Sequence, residues 1–590
     1  MRAVKFPLLI AVFLLACTTA PKPQNLPLDE NADLDFPGTS VLARPLAPIS
    51  GGTLAVSLFG EKGTILAADS QRDVVWLADA KSPYDFRGRI DMPPHSEPGR
   101  VVMGPNSKAF VALRATGDVA TLDLESQTLV ETRHLCAETR GLAWDVTEQT
   151  LHVACREGDV VTLSETGIHE KARTFVAPDL RDVAVVDGAI FVSEFRTPRL
   201  WKISPDRTVF QIGVPNAVHL DGRNFLPQVG WRMLADGVGG LIMVHQDELT
   251  GPLPPEQYGS TGEAPGSVIA TVSQWQPDPA STPQFSLRDG TRLTAGMPVD
   301  IALSPNMPEY VVADPSQGLV EVHYRPDEPA LGNSWLASLY LNDPVALAYL
   351  PNGDFVVQTL TPELRVYSRA GGLTLKQAID LPGWPLDNDG HRLFHRATKA
   401  KIACAQCHPE GREDGHLWTL NKALGPRRTQ TVSGQVLETA PLHWDGAFLN
   451  FSELMTDTFV DHMHGSPNAD FAALGGWVNR LPAASALPHL DPAQVLAGKA
   501  LFESETVGCT SCHNGPHLTD NSNRDVGTGA ALQVPSLIGV SARLPIMHNG
   551  CAKTIRDRFS PACGGGEQHG QTSHLSASEI DDSVAYLGSL

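Results

Sequence analysis

Apolar and polar positions alternate in short runs through the first two thirds of the chain, from about residue 41 to 384. One such stretch has apolar runs at 101–103, 110–112 and 119–124, separated by turns that contain Pro, Asn, Asp or Gly. A period of two with frequent turn residues is typical of β-strands and not of helices. The pattern therefore predicts an all-β region over 41–384.

This strand pattern also repeats along the chain. Units of three or four strands recur mostly about 41 to 49 residues apart, beginning near residues 55, 101, 142, 183, 232, 301 and 347. Repeats of this length with several short strands each are typical of propeller blades. We therefore expect an N-terminal all-β propeller of about seven blades. The long, proline-rich interval from 232 to 301 is interpreted as an insertion, with an eighth blade as the alternative.

Residues 385–590 follow a different pattern, because they duplicate themselves at an offset of about 105 residues. Gly390 and Gly498 each stand three residues before a Leu-Phe pair. Each half then ends in a short apolar run of helical character, at 477–481 and 584–587. We expect two all-α cytochrome c-type modules, the first over 385–490 and the second over 491–590.

Each half contains one Cys-x-x-Cys-His run, which is the attachment site of a c-type haem. The two cysteines bind the haem vinyl groups, and the histidine becomes the proximal iron ligand. The sequence thus predicts two covalently attached haem c groups, held by Cys404, Cys407, His408, Cys509, Cys512 and His513. A structural zinc site is the alternative, since cysteine and histidine also bind zinc.

These runs occur together with Pro-Ser-Leu, Pro-Ile-Met-His-Asn-Gly and a terminal Val-Ala-Tyr-Leu. In this combination the C-terminal third resembles the bacterial diheme cytochrome c peroxidase family, which includes the methylamine-utilisation diheme enzyme. The N-terminal region is similar to YVTN-type β-propellers over about 340 residues. The propeller resemblance implies a fold but no activity.

The resemblance to the diheme family implies that Met547 is the second axial ligand of the second iron; otherwise Met547 is a core residue. His443 occupies the aligned position of the first half, 35 residues after His408, where Met547 comes 34 residues after His513. His443 would therefore bind the first iron, which departs from the family, or it is a packing histidine. Imidazole in place of a thioether predicts a lower reduction potential for the first haem.

A peroxidase of this family leaves one iron face open and places a carboxylate beside it. The matching segment here offers Asp457, Asp461, His462 and His464 as replacements, and the catalytic residues stay unknown. The main hypothesis is an exported diheme c-type cytochrome that transfers electrons, with the propeller as a docking or substrate-binding platform. One alternative is a peroxidase-type oxidoreductase that reduces peroxide or oxidises a substrate at the first haem. Another is a binding module whose haems are structural or sensory.

Residues 1–17 have the composition of a bacterial lipoprotein signal, with two basic residues before a short apolar run. The run ends in Leu-Leu-Ala-Cys, so Cys17 is the predicted lipidation site, and an ordinary cleaved signal is the alternative. Residues 18–40 have the composition of a flexible tether. Thr18 in place of aspartate favours the outer membrane. We expect an outer-membrane lipoprotein that faces the periplasm.

The formal net charge of −21 excludes a nucleic-acid partner, which would require a basic face. The expected partner is a redox protein or a small-molecule electron donor or acceptor; whether calcium also binds stays open. Four cysteines are left over for disulfides in an oxidising compartment. We pair nearest neighbours, although four cysteines allow three patterns: Cys136 with Cys155 and Cys551 with Cys563.

Overall fold

The computed structural model describes residues 44–253, 258–260, 265–277, 285–325, 335–370, 372–384, 386, 388–420, 425–527, 529–563 and 566–590. The expected signal, the lipidation residue Cys17 and the tether therefore lie outside the described residues. Within them, no helix is long and apolar enough to cross a bilayer.

The first part of the chain is a seven-bladed β-propeller, as the repeat predicts. Four antiparallel sheets form blades one to four: β1–β4 (Leu54–Ser57, Thr64–Asp69, Val74–Asp79, Phe86–Asp91), β5–β8 (Pro98–Met103, Lys108–Leu113, Asp118–Asp123, Thr128–His134), β9–β12 (Thr139–Asp145, Thr150–Cys155, Asp159–Leu163, Glu170–Phe175) and β13–β16 (Leu180–Val186, Ala189–Glu194, Leu200–Ile203, Val209–Gly213). Three more form blades five to seven: β17–β21 (Val218–Leu220, Arg223–Ala235, Leu241–Leu249, Val268–Pro277, Phe285–Arg292), β22–β25 (Asp300–Leu303, Glu309–Asp314, Leu319–Tyr324, Trp335–Tyr340) and β26–β29 (Pro344–Tyr349, Phe355–Thr359, Glu363–Ser368, Thr374–Asp380). The long interval belongs to the five-stranded fifth blade, and no eighth blade occurs among the described residues.

Apolar side chains between neighbouring blades hold the propeller together. The two middle strands of the first blade, β2 and β3, are buried along their whole length. Ile65 and Trp76 from these strands pack against Val356 and Val366 of the seventh blade, which closes the ring. The outermost strands are largely exposed, as in β8. Alternation thus survives only at the rim, because strands buried on both faces read as continuous apolar runs.

The structure contains both disulfides that pair nearest neighbours in sequence. Cys551 is bonded to Cys563, and Cys136 to Cys155. Cys155 is the last residue of β10, but Cys136 lies in the connection between β8 and β9 and not on a strand of the second blade. This bridge therefore ties the link between two blades to the third blade.

The expectation of two all-α modules in the C-terminal third is wrong. The described part of this region contains six α-helices, most of them short: α1 (Asp389–His395), α2 (Cys404–Cys407), α3 (Phe451–Met455), α4 (Phe471–Val478), α5 (Pro492–Phe502) and α6 (Ala577–Gly588). Between them lie 3₁₀ turns, one π-helix at Thr456–His462 and two small ladders, β30–β31 (Leu417–Trp418, Arg427–Arg428) and β32–β33 (Asn523–Arg524, Leu532–Gln533). Gly, Pro, Asn and Asp interrupt the apolar periodicity here, so most of each half folds as loop.

The duplication itself is visible in three dimensions. α1 crosses α4 in the first half, and α5 crosses α6 in the second. A Cβ added to Gly390 would come within 2.2 Å of the Ala473 carbonyl, and one added to Gly498 within 1.9 Å of the Asp582 carbonyl. Both glycines are therefore required where two helices approach closely. The one helix pair that each half retains is the part of the helical prediction that the structure supports.

Candidate functional site

Both Cys-x-x-Cys-His runs line one continuous cavity of about 430 Å³. None of their four cysteines is in a disulfide, although the other four described cysteines are. The first run forms the single turn α2 and the second a 3₁₀ turn at Cys509–Ser511. The fold thus brings together all six residues that the sequence predicts for haem attachment.

The two predicted proximal histidines have the same hydrogen-bond arrangement. His408 Nδ1 donates to the carbonyl of Arg412 at 3.0 Å, and His513 Nδ1 donates to the carbonyl of Leu518 at 3.1 Å. Burial lowers the pKa of both imidazoles, which keeps them neutral. A metal-binding histidine ordinarily donates one ring N–H to such an acceptor, which leaves Nε2 to face the metal. Both side chains therefore fit the role of proximal ligand.

His443 and Met547 occupy the same local structure in the two halves. Both have left-handed backbone angles, with φ of 79° at His443 and 67° at Met547, and both line the cavity. Each carbonyl accepts a hydrogen bond from the glycine three residues later. Each also sits inside a small antiparallel bridge, between Leu442 and Phe448 or between Ile546 and Ala552. Since such angles are rare outside glycine, both loops hold these side chains at the cavity at some cost.

The environment of His443 keeps its imidazole neutral. Burial lowers the pKa of the His443 imidazole. The Asp445 carboxylate, 3.4 Å from Nδ1, offsets part of this shift. The ring packs edge-on against Trp444 with a centroid distance of 4.1 Å. Neutral imidazole is the form that binds iron, so the site accommodates His443 as an iron ligand. Ligation by His443 stays a prediction.

The polar lining of the cavity is cationic. Four arginines line it, and among the described residues no Asp or Glu does: Arg428, Arg524, Arg543 and Arg558. Burial lowers the pKa of Arg543 to about 10, which reflects the cost of an enclosed positive charge. Arginine is the preferred partner of carboxylates in such settings. Because haem propionates are carboxylates, these arginines suit haem binding, although Arg428 already lies 3.1 Å from Glu413 and Arg524 lies 3.2 Å from Asp520.

The same residues do not fit zinc. Among the described residues, three candidate ligand atoms come within 4.8 Å of one another at one place, formed by Cys136, Cys155 and Glu157. Two of these are joined in a disulfide. A structural zinc ion takes four ligands within about 2.0–2.3 Å, and neither Cys-x-x-Cys-His run is arranged in this way.

The candidate replacements for a peroxidase carboxylate do not line the cavity, although Asp457 and His462 lie close enough to His443 to influence its pKa. Asp461 and His464 are exposed, and Asp457 lies 3.7 Å from His462 in an ion pair outside the lining. In their place the π-helix region contributes Met455, Thr458 and Met463 to the lining. A π-helix often marks a functional site, and Asp457 and His462 of this one lie directly behind the lining.

Three lining residues come from the propeller and were missed by sequence reasoning: Leu253, Tyr258 and Ser267. Tyr258 lies in the connection between β19 and β20 of the fifth blade, and its ring stacks on His462 at 4.8 Å. Burial is the main reason that its phenol pKa is raised. No sequence signal could have found it, because its position in the cavity depends on how the blade packs on the haem region.

No family model matches the chain. A local stretch of 140 residues is 27% identical to hydrazine synthase subunit gamma from Kuenenia stuttgartiensis, covering 16% of this chain and 40% of that protein. The chain thus spans about two fifths of the length of this curated relative.

Among solved structures, one chain of Kuenenia stuttgartiensis hydrazine synthase aligns at 11% identity with a TM-score of 0.45, covering 58% of this chain and 99% of the other. A streptogramin B lyase aligns at 9% identity with a TM-score of 0.38, covering 54% and 93%. These similarities are too weak to carry an argument. The comparisons do not show membership of the diheme peroxidase family, and that resemblance stays a prediction.

Proposed function

We propose that this protein is an exported diheme c-type cytochrome that moves electrons between its two haems and an external redox partner. The observation that carries the proposal is the single cavity lined by both Cys-x-x-Cys-His runs. Haem c at each run would supply one-electron transfer at its iron. The shared cavity keeps the two sites close together.

The residues of the chain divide the work of holding and adjusting the two sites. The four cysteines would bind the haems covalently. His408 and His513 are oriented by the backbone carbonyls that their Nδ1 atoms contact. His443 and Met547 face the cavity from equivalent loops and are the proposed second ligands. The arginines of the lining would pair with the haem propionates, beside the Glu413 and Asp520 carboxylates that Arg428 and Arg524 already contact.

Electron transfer is favoured over peroxide reduction by the lining itself. Peroxide chemistry needs an open iron face and a nearby group that accepts and returns a proton. The described lining contains no carboxylate, and His443, as the proposed second ligand, would close the first iron to peroxide. The local similarity to a synthase subunit supports work within an assembly, and we propose a protein as the electron donor or acceptor.

An exported location remains part of the proposal. Two disulfides favour an oxidising compartment. Cys17→Ala tests the anchor: the variant is expected to become soluble in the periplasm, and an unchanged membrane fraction would count against lipidation.

A potentiometric titration of the purified holoprotein tests the electron-transfer function. Two separate one-electron waves of low-spin haem are expected, and neither carbon monoxide nor cyanide should bind rapidly. The double variant Cys509→Ala/Cys512→Ala is the matched control and should retain only the lower wave. A high-spin haem in the wild type that binds cyanide and turns over peroxide would replace this proposal with the peroxidase.

A further inference from the structure

The loop after the first haem run inserts into the inner face of the propeller. Glu410, two residues after His408, is buried, and its Oε1 accepts hydrogen bonds from Arg181 at 2.7 Å and Arg114 at 3.1 Å. The hydroxyl of Ser50 donates to the same oxygen. Arg181 belongs to β13, the innermost strand of the fourth blade, whereas Arg114 follows β6 of the second blade. One carboxylate from the haem region thus joins separate parts of the ring.

The propeller presents positive charge at this place by repetition. The innermost strands of four successive blades each carry a buried or half-buried arginine: Arg100, Arg140, Arg181 and Arg232. Asp182 binds the Arg100 guanidinium at 3.1 Å and that of Arg232 at 3.0 Å, while Glu138 binds Arg140 at 3.1 Å. The carboxylate that binds Arg181 is Glu410. A buried charge is costly unless it is paired, so the haem loop completes the charge balance of the ring.

The same loop determines the orientation of His408. The carbonyl that accepts from His408 Nδ1 belongs to Arg412, whose guanidinium lies 2.9 Å from Glu138 of the propeller. The Arg412 carbonyl is therefore held in place by two contacts with the propeller. One is made by Glu410, two residues earlier in the loop, and the other by the Arg412 side chain itself, on Glu138. A change at either contact would turn the ring or lengthen its hydrogen bond.

The second half provides an internal comparison for Glu410. Gly515 stands at the matching position, two residues after His513, and both residues are left-handed, with φ of 54° at Glu410 and 70° at Gly515. Gly515 is exposed and adopts these angles without cost, whereas a glutamate there is strained. The strain at Glu410 is sustained by its contacts with the propeller, and the second half has no equivalent contact in its described residues.

We propose that Glu410 is a positioning residue through which the propeller orients His408 and lowers the reduction potential of the first haem. The inference rests on the proposed function, because it requires a haem at the first run. The proximal hydrogen bond strengthens the imidazole as a ligand, and the negative charge of Glu410, two residues from His408, favours the ferric state. The propeller then serves as the proximal wall of the first haem.

The test is a potentiometric titration of holoprotein variants that change the sign of the local charge. Glu410→Gln should raise the potential of the first haem and leave the second unchanged. Arg114→Gln should lower the first potential, because it removes a positive charge from the same cluster. Glu309→Gln is the matched control, since Glu309 of the sixth blade is also buried and pairs with Arg369 of the seventh blade at 3.0 Å. It should move neither potential.

If Glu410→Gln does not fold well enough to be purified, Ser50→Ala tests the same contact. Ser50→Ala removes one hydrogen bond to Glu410 and changes no charge. A shift confined to the first haem is again expected. With two haems present, any of three results would overturn the inference. The potentials of both haems could shift equally, Glu410→Gln and Arg114→Gln could shift the first potential in the same direction, or neither Glu410→Gln nor Ser50→Ala could shift it. A wild-type chain without covalent haem would instead overturn the proposed function and the inference with it.

Discussion

The two haem runs share a sequence pattern but differ in their surroundings. In the first run Ala405 and Gln406 are both about 1% exposed, and Gln406 donates to the carbonyl of Gly296 in the propeller at 2.8 Å. In the second run the corresponding positions are Thr510 and Ser511, of which Ser511 is exposed. The propeller covers one copy of the repeat and leaves the other facing solvent.

This difference indicates a division of labour between the halves. A partner protein would dock at the solvent-facing run, because electrons can pass between two proteins only where a haem edge lies close to the surface. The covered run has its proximal side fixed by buried charges, so its properties depend on the propeller.

Met547→His should remove most of the difference between the two haems. A thioether ligand raises the potential relative to imidazole, so the higher potential should fall on the order of 0.1 V within the roughly 0.8 V that axial ligands span. Potentiometry with near-infrared detection of the ferric His–Met band measures both changes. An unchanged higher potential with the band retained would show that Met547 is not a ligand.

His443→Gly should affect the other half and produce a different signal. Removing the imidazole should open the first iron, giving a high-spin spectrum and cyanide binding while the second haem stays low-spin. Electron paramagnetic resonance of the ferric protein measures the change. If the wild type already shows one high-spin haem and the variant leaves it unchanged, His443 is only a packing residue.

The disulfide Cys551–Cys563 should stabilise the exposed half in particular. It closes a loop of 12 residues directly after Met547. In the chain-entropy model a bridge of this size contributes about 3 kcal/mol to the free energy of unfolding. Cys551→Ser/Cys563→Ser should therefore lower the stability of the second half and its His–Met band, with the first haem spectrum unaffected. Equal loss in both halves would argue against local stabilisation.

Acid should loosen the covered half through its buried histidines. His416 donates Nε2–H to the carbonyl of Leu249, and burial lowers its pKa to about 4. It is neutral in the folded chain but protonated below about pH 6.5 in the unfolded chain, so its stabilisation is lost as pH falls from about 6.5 to 4. His416→Gln should flatten the pH dependence of unfolding in this window by about 3 kcal/mol. His152 lies inside the third blade, and burial lowers its pKa to about 4 as well. His152→Gln is therefore the control in the propeller. If His416→Gln retains the wild-type slope, His416 does not couple acid to unfolding.

Sequence reasoning was most successful where one residue type has one structural use. The seven blade starts follow from the strand periodicity, and the repeated Gly390 and Gly498 follow from the duplication, whereas the helix crossings at these glycines and the shared cavity appear only in the structure. It was wrong about two all-α modules, because apolar runs near the helix crossings were extended into loop segments. It also missed the Glu410 contact and Tyr258, which depend on the packing of one region on another. The arginine before several blade starts was the one available signal for that interface.

The most direct test of the account is the intact mass of the denatured, purified holoprotein. The account predicts the mass of the processed chain plus two haems, falling by one haem in Cys404→Ala/Cys407→Ala and in Cys509→Ala/Cys512→Ala alike. A mass equal to the chain alone, with haem or metal released on denaturation, would contradict it.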